Sequence, residues 1–110
     1  MADCLNVVSL NVNGLRKTAT RKRIFKMLKD KRTDIACLQE TFITKNDSEK
    51  WEKDWGGKIV FFEGTNHGRG QLLLIRKHFP FEWVTEVRED RIISIKIKYL
   101  YYISTLFISI

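Results

Sequence analysis

Two polar clusters in the first half of the chain hold residue types able to bind a cation against a phosphate. One is Asn11 and Asn13, two positions apart and followed by Gly14; the other is Gln39-Glu40-Thr41. Each directly follows a short apolar run. A carboxylate with amide oxygens beside it suits Mg²⁺, which takes oxygen donors and often only one or two carboxylates, with water and phosphate completing its shell. The same residues have a structural use. Asn-Val-Asn-Gly is turn chemistry, and Glu40 on its own is a surface acid. Spacing alone leaves both uses open.

The clusters have to be carried by neighbouring elements if they are to meet. Leu5 to Asn11 is rich in Val and Leu and ends in a turn signal, which predicts a buried strand. Thr18 or Thr20 can cap a helix running to about Arg32. Ile24, Met27, Leu28 and Phe25 supply its apolar stripe, and its lysines and arginines face outward. Asp34 to Gln39 predicts a second buried strand. A strand, helix and strand in this order normally form a parallel pair. Asn11 and Glu40 then stand side by side at the carboxyl edge, where open α/β sheets place their sites.

Further along, Asn46 with Glu49 marks a helix start. Trp51 and Trp55 share one face of it, and Gly56-Gly57 ends it. Strands follow over Ile59 to Glu63 and Gln71 to Arg76, separated by the turn-rich segment Gly64 to Gly70, and then over Phe81 to Val87. Arg91 to Lys98 alternates, with Ile93, Ile95 and Ile97 on one face and Ser94, Lys96 and Lys98 on the other: a half-exposed strand. Tyr99 to Ile110 carries no charge and is too short to span a bilayer, which needs about 20 helical residues. It is expected to be a buried strand cut off from its continuation.

The chain has 110 residues, enough for one small domain, and its 44% hydrophobic content fits a globular protein. Cys4 and Cys37 make no disulfide framework, and Cys37, inside an apolar run, reads as a buried free thiol. No basic-then-apolar signal opens the chain, so an intracellular protein is expected. Twenty basic against thirteen acidic residues give +7. Seven of the basic residues and one acid, Asp30, lie between Arg21 and Arg32. Clustered positive charge favours a polyanion, nucleic acid above all, although a solvated helix face has the same appearance. Trp51, Trp55 and Trp83 suit core packing better than stacking on bases. His67 and His78 read as loop or surface residues.

Ser9-Leu10-Asn11-Val12-Asn13-Gly14-Leu15-Arg16 resembles the opening motif of the endonuclease/exonuclease/phosphatase superfamily, and Asp34-Ile35-Ala36-Cys37-Leu38-Gln39-Glu40-Thr41 resembles its second. The basic helix between them has the matching length and place. Gly68-Arg69-Gly70-Gln71-Leu72-Leu73-Leu74-Ile75 is similar to the glycine-led strand that follows, and Arg91 to Lys98 to the next. The Asn-x-Asn form and the basic character look most like endonucleases of retrotransposons lacking long terminal repeats. The exonuclease III and abasic-site branch comes next.

The resemblance implies an α/β fold, the first half of a four-layer α/β sandwich cut short, with residues 1–110 forming a partial domain that supplies about one of its two sheets. It implies Mg²⁺-dependent hydrolysis of DNA phosphodiesters, with Mn²⁺ as the alternative ion, and a nuclear location. Glu40 matches the family's metal-binding glutamate, and Asn11 the asparagine that helps hold metal and scissile phosphate. Asn13 stands where the abasic-site branch often has Asp. A later Tyr, an Asp-x-Asn pair, a further Asp and a His have no matching positions, so this chain alone is expected to be inactive. DNA contacts are expected from Arg21, Lys22, Arg23, Lys26 and Lys29, and no membrane contact. Self-association is expected through a sheet face, including Ile93, Ile95 and Ile97, left without its partner. The competing readings are a non-catalytic nucleic-acid-binding remnant and a relative of the inositol-phosphate or sphingolipid phosphatases. The Asn-x-Asn motif and the basic helix disfavour the phosphatase.

Overall fold

The computed structural model describes residues 5–64, 69–89, 92–99 and 102–109. The chain falls into two compact units, Met1–Lys77 and His78–Ile110. The first unit runs β1 (Val7–Asn11), α1 (Thr18–Asp30), β2 (Ile35–Gln39), α2 (Ser48–Trp55), β3 (Lys58–Phe62) and β4 (Gln71–Ile75). Its sheet has the order β1-β2-β4-β3. β1 and β2 are parallel, as the intervening helix requires, and β4 runs antiparallel to both β2 and β3. All five residues of β4 are buried, and so are the first four of β2. That continuous burial explains why both read as unbroken apolar runs and not as alternating strands.

The core joins the sheet to both helices. Leu15, Phe25, Leu28, Ala36, Leu38, Ile43, Trp51, Trp55, Ile59, Leu72 and Leu74 form one buried cluster. Phe25 and Trp55 meet edge to face, with ring centroids 5.6 Å apart. Trp51 and Trp55 are therefore core residues, as their spacing suggested. Cys37 is a buried free thiol, and burial pushes its pKa up to about 11.

The helix α1 departs from expectation at both ends and on one face. Lys17 occupies the N-cap position and makes no side-chain cap hydrogen bond, so neither threonine caps. The helix ends at Asp30, because Arg32 turns left-handed (φ 55°) and the Thr33 N–H reaches back to the Leu28 carbonyl, a Schellman closure. Arg21, expected on the outer face, is 1% exposed. Its guanidinium donates to Asp54 Oδ2 at 2.9–3.0 Å, to the carbonyls of Leu15 (3.1 Å) and Arg16 (3.4 Å), and to Thr18 Oγ1 (3.5 Å), and lies 5.1 Å from the Trp51 ring centroid. A planar five-donor group can fill all these roles at once. Lys22, Arg23, Lys26 and Lys29 do face outward. Lys26 pairs with Asp30 at 2.8 Å, and that hydrogen bond holds the ammonium pKa above its usual value.

The helix α2 starts two residues later than Asn46. Asp47 ties the approach to it by accepting from the Thr44 N–H (3.0 Å), the Thr44 hydroxyl (2.9 Å) and Arg16 (2.6 Å). Partial burial alone would raise the Asp47 pKa, but these donors and the Arg16 charge outweigh it and hold the carboxyl below the usual range.

The second unit holds β5 (Glu82–Glu89), β6 (Ile92–Tyr99) and β7 (Tyr102–Ser109), an antiparallel meander of its own. The chain thus forms two sheets where about one was expected, since each of these strands pairs with the next in sequence. The alternation in β6 is as read: Ile95 and Ile97 are buried and Lys98 is exposed. The side chain of Ile93 lies outside the described residues, as do His67 and the side chains of Tyr99 to Ile110. No described helix is long and apolar enough to cross a membrane.

Arg21→Ala removes one partner of a buried pair and leaves Asp54 and two loop carbonyls without their donor. It is expected to lower stability by about 2–4 kcal/mol, whereas Lys26→Ala leaves the unfolding midpoint unchanged. Urea denaturation of both variants measures the contrast, and equal effects would contradict a structural role for Arg21.

Candidate active site

The parallel ladder does not stop at the strand ends. Asn11 pairs with Gln39 in register. Beyond that pair the Val12, Gly14 and Leu15 N–H groups donate to the carbonyls of Gln39 (3.1 Å), Glu40 (2.7 Å) and Thr41 (3.1 Å). On the other side, the Thr41 and Phe42 N–H groups donate to the carbonyls of Gly70 (3.1 Å) and Arg69 (2.7 Å). Three loops are thereby tied into one surface at the carboxyl edge of the β1–β2 pair.

Each residue of the Gln39-Glu40-Thr41 motif has a separate task. The Gln39 amide donates to Ser9 Oγ (3.1 Å) and the Cys37 carbonyl (3.0 Å), pinning the strand end. Thr41 is fully buried, and its hydroxyl accepts from the Ile43 N–H (3.3 Å). Glu40 between them turns left-handed at φ 53°, as do Asn13 (φ 50°) and Phe42 (φ 59°). Left-handed backbone costs an L-residue about 1–2 kcal/mol, and three such residues lie within a few positions of one another on these paired loops. Strain of this kind persists where the surroundings over-determine it, and it clusters at functional sites. Gly70 (φ +87°) completes the surface, since a Cβ there would approach Thr41 Oγ1 and the Ile43 nitrogen to 3.3 Å.

The turn at Glu40 brings its carboxylate to Asn11, whose side-chain amide donates to Oε2. Asn11 Oδ1 in turn accepts from the Asn13 N–H at 3.1 Å, so Asn13 contributes its backbone here. The sequence-predicted pair, Asn11 and Glu40, does come together. The third member is a residue whose role no local pattern marks. Arg69 donates to Glu40 Oε1 at 3.0 Å, and its guanidinium lies 5.8 Å from the Phe42 ring centroid. Its only signal was its place in Gly68-Arg69-Gly70, just ahead of a buried strand. The five basic residues expected to touch DNA all lie on α1, and Arg21 is withdrawn from solvent by its burial.

The arrangement presents one partly exposed carboxylate, an amide and a guanidinium at a sheet edge. It can hold a cation on Glu40, and Arg69 already stands there as a positive group. The same cationic side chain can meet a phosphate.

A family model described as "Endonuclease/Exonuclease/phosphatase family" matches residues 8–108. The chain belongs to the endonuclease/exonuclease/phosphatase family. Among solved structures it is similar to an endonuclease/exonuclease/phosphatase family protein from Leptotrichia buccalis C-1013-b, with 12% identity and a TM-score of 0.58. The match covers 94% of this chain and 52% of that one, so the chain spans about half the length of that relative. At this identity the likeness concerns the fold: mixed α/β with the family's architecture. Family members are hydrolytic enzymes that commonly use divalent metals. The donor types at the edge, a carboxylate and an amide oxygen, are the hard oxygens such ions prefer. Among the described residues, no three His, Cys, Asp or Glu side chains gather into a metal cluster.

Backbone strain at Glu40 can be separated from the loss of its carboxylate by comparing two variants. Glu40→Ala and Glu40→Gly both remove the charge, but only glycine relieves the positive φ. The glycine variant is expected to be more stable than the alanine variant by about 1 kcal/mol. Thermal unfolding of the two variants checks this, and an alanine variant at least as stable as the glycine one would rule the strain out.

Proposed function

We propose that this chain supplies part of the active site of a divalent-metal-dependent phosphodiesterase acting on DNA. The observation that carries the reading is the junction of Glu40 and Asn11 at the carboxyl edge of the parallel pair, within the two motifs that resemble the family's. Mg²⁺, or Mn²⁺ in its place, would be held by the Glu40 carboxylate with the Asn11 side chain beside it. Such an ion neutralises phosphate charge and lowers the pKa of water. The Arg69 pair does not stand in its way. Side chains 61% and 31% exposed form a surface pair worth about 0–1 kcal/mol, so a divalent ion displaces it at little cost. A displaced Arg69 remains near the edge, where a guanidinium suits a phosphate's paired oxygens.

DNA as substrate rests on the charge pattern. With Arg21 buried, Lys22, Arg23, Lys26 and Lys29 remain as an outward cationic face on α1. The Asn-x-Asn motif and this basic helix favour the retrotransposon-type branch, and with it a nuclear location. A second reading, a nucleic-acid-binding remnant without catalysis, is favoured by one observation. Both carboxylate oxygens of Glu40 are engaged within the chain, by Asn11 and Arg69.

The two readings part in a plasmid-nicking assay. The 110-residue chain alone is expected to show no detectable Mg²⁺-dependent nicking, since Glu40, Asn11 and Arg69 include no general base to orient the attacking water. Joined to the second half of a related domain, it is expected to nick plasmid, and Glu40→Gln abolishes that activity. A joined protein that stays inactive would favour the remnant. Robust nicking by the chain alone would overturn the division of the site.

Binding to a short DNA duplex is expected to be weak, indifferent to sequence and steeply salt-dependent, because phosphate neutralisation releases counterions. Replacing Lys22 and Arg23 together by alanine is expected to reduce the log–log salt slope by about two. Fluorescence anisotropy across a salt titration measures it. A slope unchanged by that substitution would exclude α1 as the contact face.

A further inference from the structure

The end of the first sheet remote from Glu40 carries a pocket of about 320 Å³, lined by Lys29, Arg32, Thr33, Trp55, Gly56, Arg76 and Lys77. It lies where α1, α2 and β4 all finish. Ile35 and Ile75 pair at this end of the sheet, while Gln39 and Gln71 pair at the other. Four residues of strand, about 13 Å at the usual rise, separate the two.

The pocket walls are fixed by the chain itself. Trp55 Nε1–H donates to the Ile75 carbonyl at 2.8 Å. A Cβ on Gly57 would lie 2.3 Å from that same carbonyl oxygen and 2.9 Å from the Lys77 nitrogen, so only glycine lets the corner after α2 close on β4. Asn6 Nδ2 donates to the Arg32 carbonyl (3.1 Å) and holds the left-handed turn after α1. Arg76 Nε donates to Asp34 Oδ1 at 2.8 Å, and Asp34 Oδ2 accepts from the Asn6 N–H at 2.9 Å.

Charge and hydrogen bonding at this pocket are unbalanced in the same direction. Four cationic side chains from two segments, the end of α1 with its closing turn and the end of β4, line the pocket with no acidic side chain among its lining residues, and Asp34 pairs with Arg76 beside it. The two helix C-termini add only about −0.5 each. Their exposed carbonyls are partly used, since Leu28 accepts from Thr33, Lys29 from Arg32 and Glu52 from Gly56. Thr33 is 2% exposed, and its hydroxyl has no hydrogen-bond partner among the described residues. A buried polar group left in that state costs about 1–3 kcal/mol, so a partner from outside the chain is called for.

We infer that this pocket binds an organic phosphate of nucleotide size, with its phosphate among Lys29, Arg32, Arg76 and Lys77 and its remainder over the Trp55–Gly56 floor. Guanidinium groups suit phosphate oxygens. The volume lies at the lower end of the range for small-molecule sites, larger than inorganic phosphate needs. The Thr33 hydroxyl gains its partner from a phosphate oxygen or a water that the ligand orders. The inference stands independently of the hydrolytic reading, because no residue of the Glu40 edge enters it. The phosphate can belong to a free mononucleotide or to the end of a nucleic-acid strand.

Calorimetric titration of the 110-residue chain with AMP, with a 5′-phosphorylated tetranucleotide and with adenosine tests it. The Trp55 indole N–H is followed by NMR. AMP is expected to bind and shift that resonance, and adenosine is not. Binding by the tetranucleotide but not AMP would identify a strand end as the source, and binding by both a free nucleotide. Arg32→Gly with Lys77→Ala removes two cations and is safe for folding, since Arg32 already occupies backbone that favours glycine. This variant is expected to weaken binding by about tenfold or more. Thr33→Val is expected to weaken binding without loss of thermal stability, and Arg69→Ala to leave it unchanged. The inference falls if neither AMP nor the tetranucleotide saturates, if binding survives the Arg32→Gly/Lys77→Ala substitution, or if Arg69→Ala removes it.

Discussion

The candidate site depends on hydrogen bonds that continue the parallel β1–β2 ladder past both strand ends. Without the bonds from Val12, Gly14 and Leu15 to Gln39, Glu40 and Thr41, the two motifs would be separate loops free to choose their own turns. With them, a residue count in one loop fixes the position of a side chain in the other. The register Asn11 to Gln39 therefore places Asn11 one residue from Glu40 across the pair, and the left-handed turn at Glu40 closes that remaining gap. β4 then adds a third loop from the antiparallel side through Gly70, and Arg69 arrives with it.

Holding such a surface against its own strain needs a stiff support, and the core beneath it supplies one. Leu15 and Ile43, each just beyond a site loop, are both inside the main apolar cluster. Fully burying a side chain of that size stabilises by about 1.5–3 kcal/mol, which exceeds the cost of one left-handed residue. Arg21 adds a polar link of the same kind. It spans the Leu15 carbonyl, Asp54 on α2 and the Trp51 ring, so the loop after β1 is held to both helices. Buried ion pairs are weak sources of net stability but specify one arrangement where geometry is good. Here the arrangement specified is the entry into α1.

The sequence carried most of the first unit because its elements are of the kind that local pattern determines. β2 and β4 are short apolar runs bounded by turn residues, Trp51 and Trp55 are one helical turn apart, and a strand, helix and strand leave little choice but parallel pairing. Asn11 and Glu40 were legible for the same reason: both end a strand. Arg21 was not, because its neighbours Lys22 and Arg23 are chemically similar and only tertiary context chooses which of the three turns inward. Arg69 was missed because its role comes from β4 lying antiparallel beside β2, a pairing that no local pattern announces. The separation of β5, β6 and β7 into their own sheet has the same origin. Each strand was legible singly, and the sheet it joins is a non-local choice.

The two ends of the first sheet differ in a way that follows from its mixed topology. The carboxyl ends of β1, β2 and β3 gather at one edge, where Glu40 stands with a weakly held guanidinium. The opposite edge receives the end of β4 and the closing turns of both helices, each finished by a residue with positive φ, Arg32 or Gly56. Helix C-termini favour cations in the last turn, and Lys29, Arg32 and Lys53 answer that need. Arg76 and Lys77 do not belong to either helix. They come from the strand that runs against β2, and their arrival takes the local charge past what the helix ends require. Antiparallel insertion of β4 thus does two separate things: it brings Arg69 to the carboxylate at one edge, and Arg76 and Lys77 to the pocket at the other.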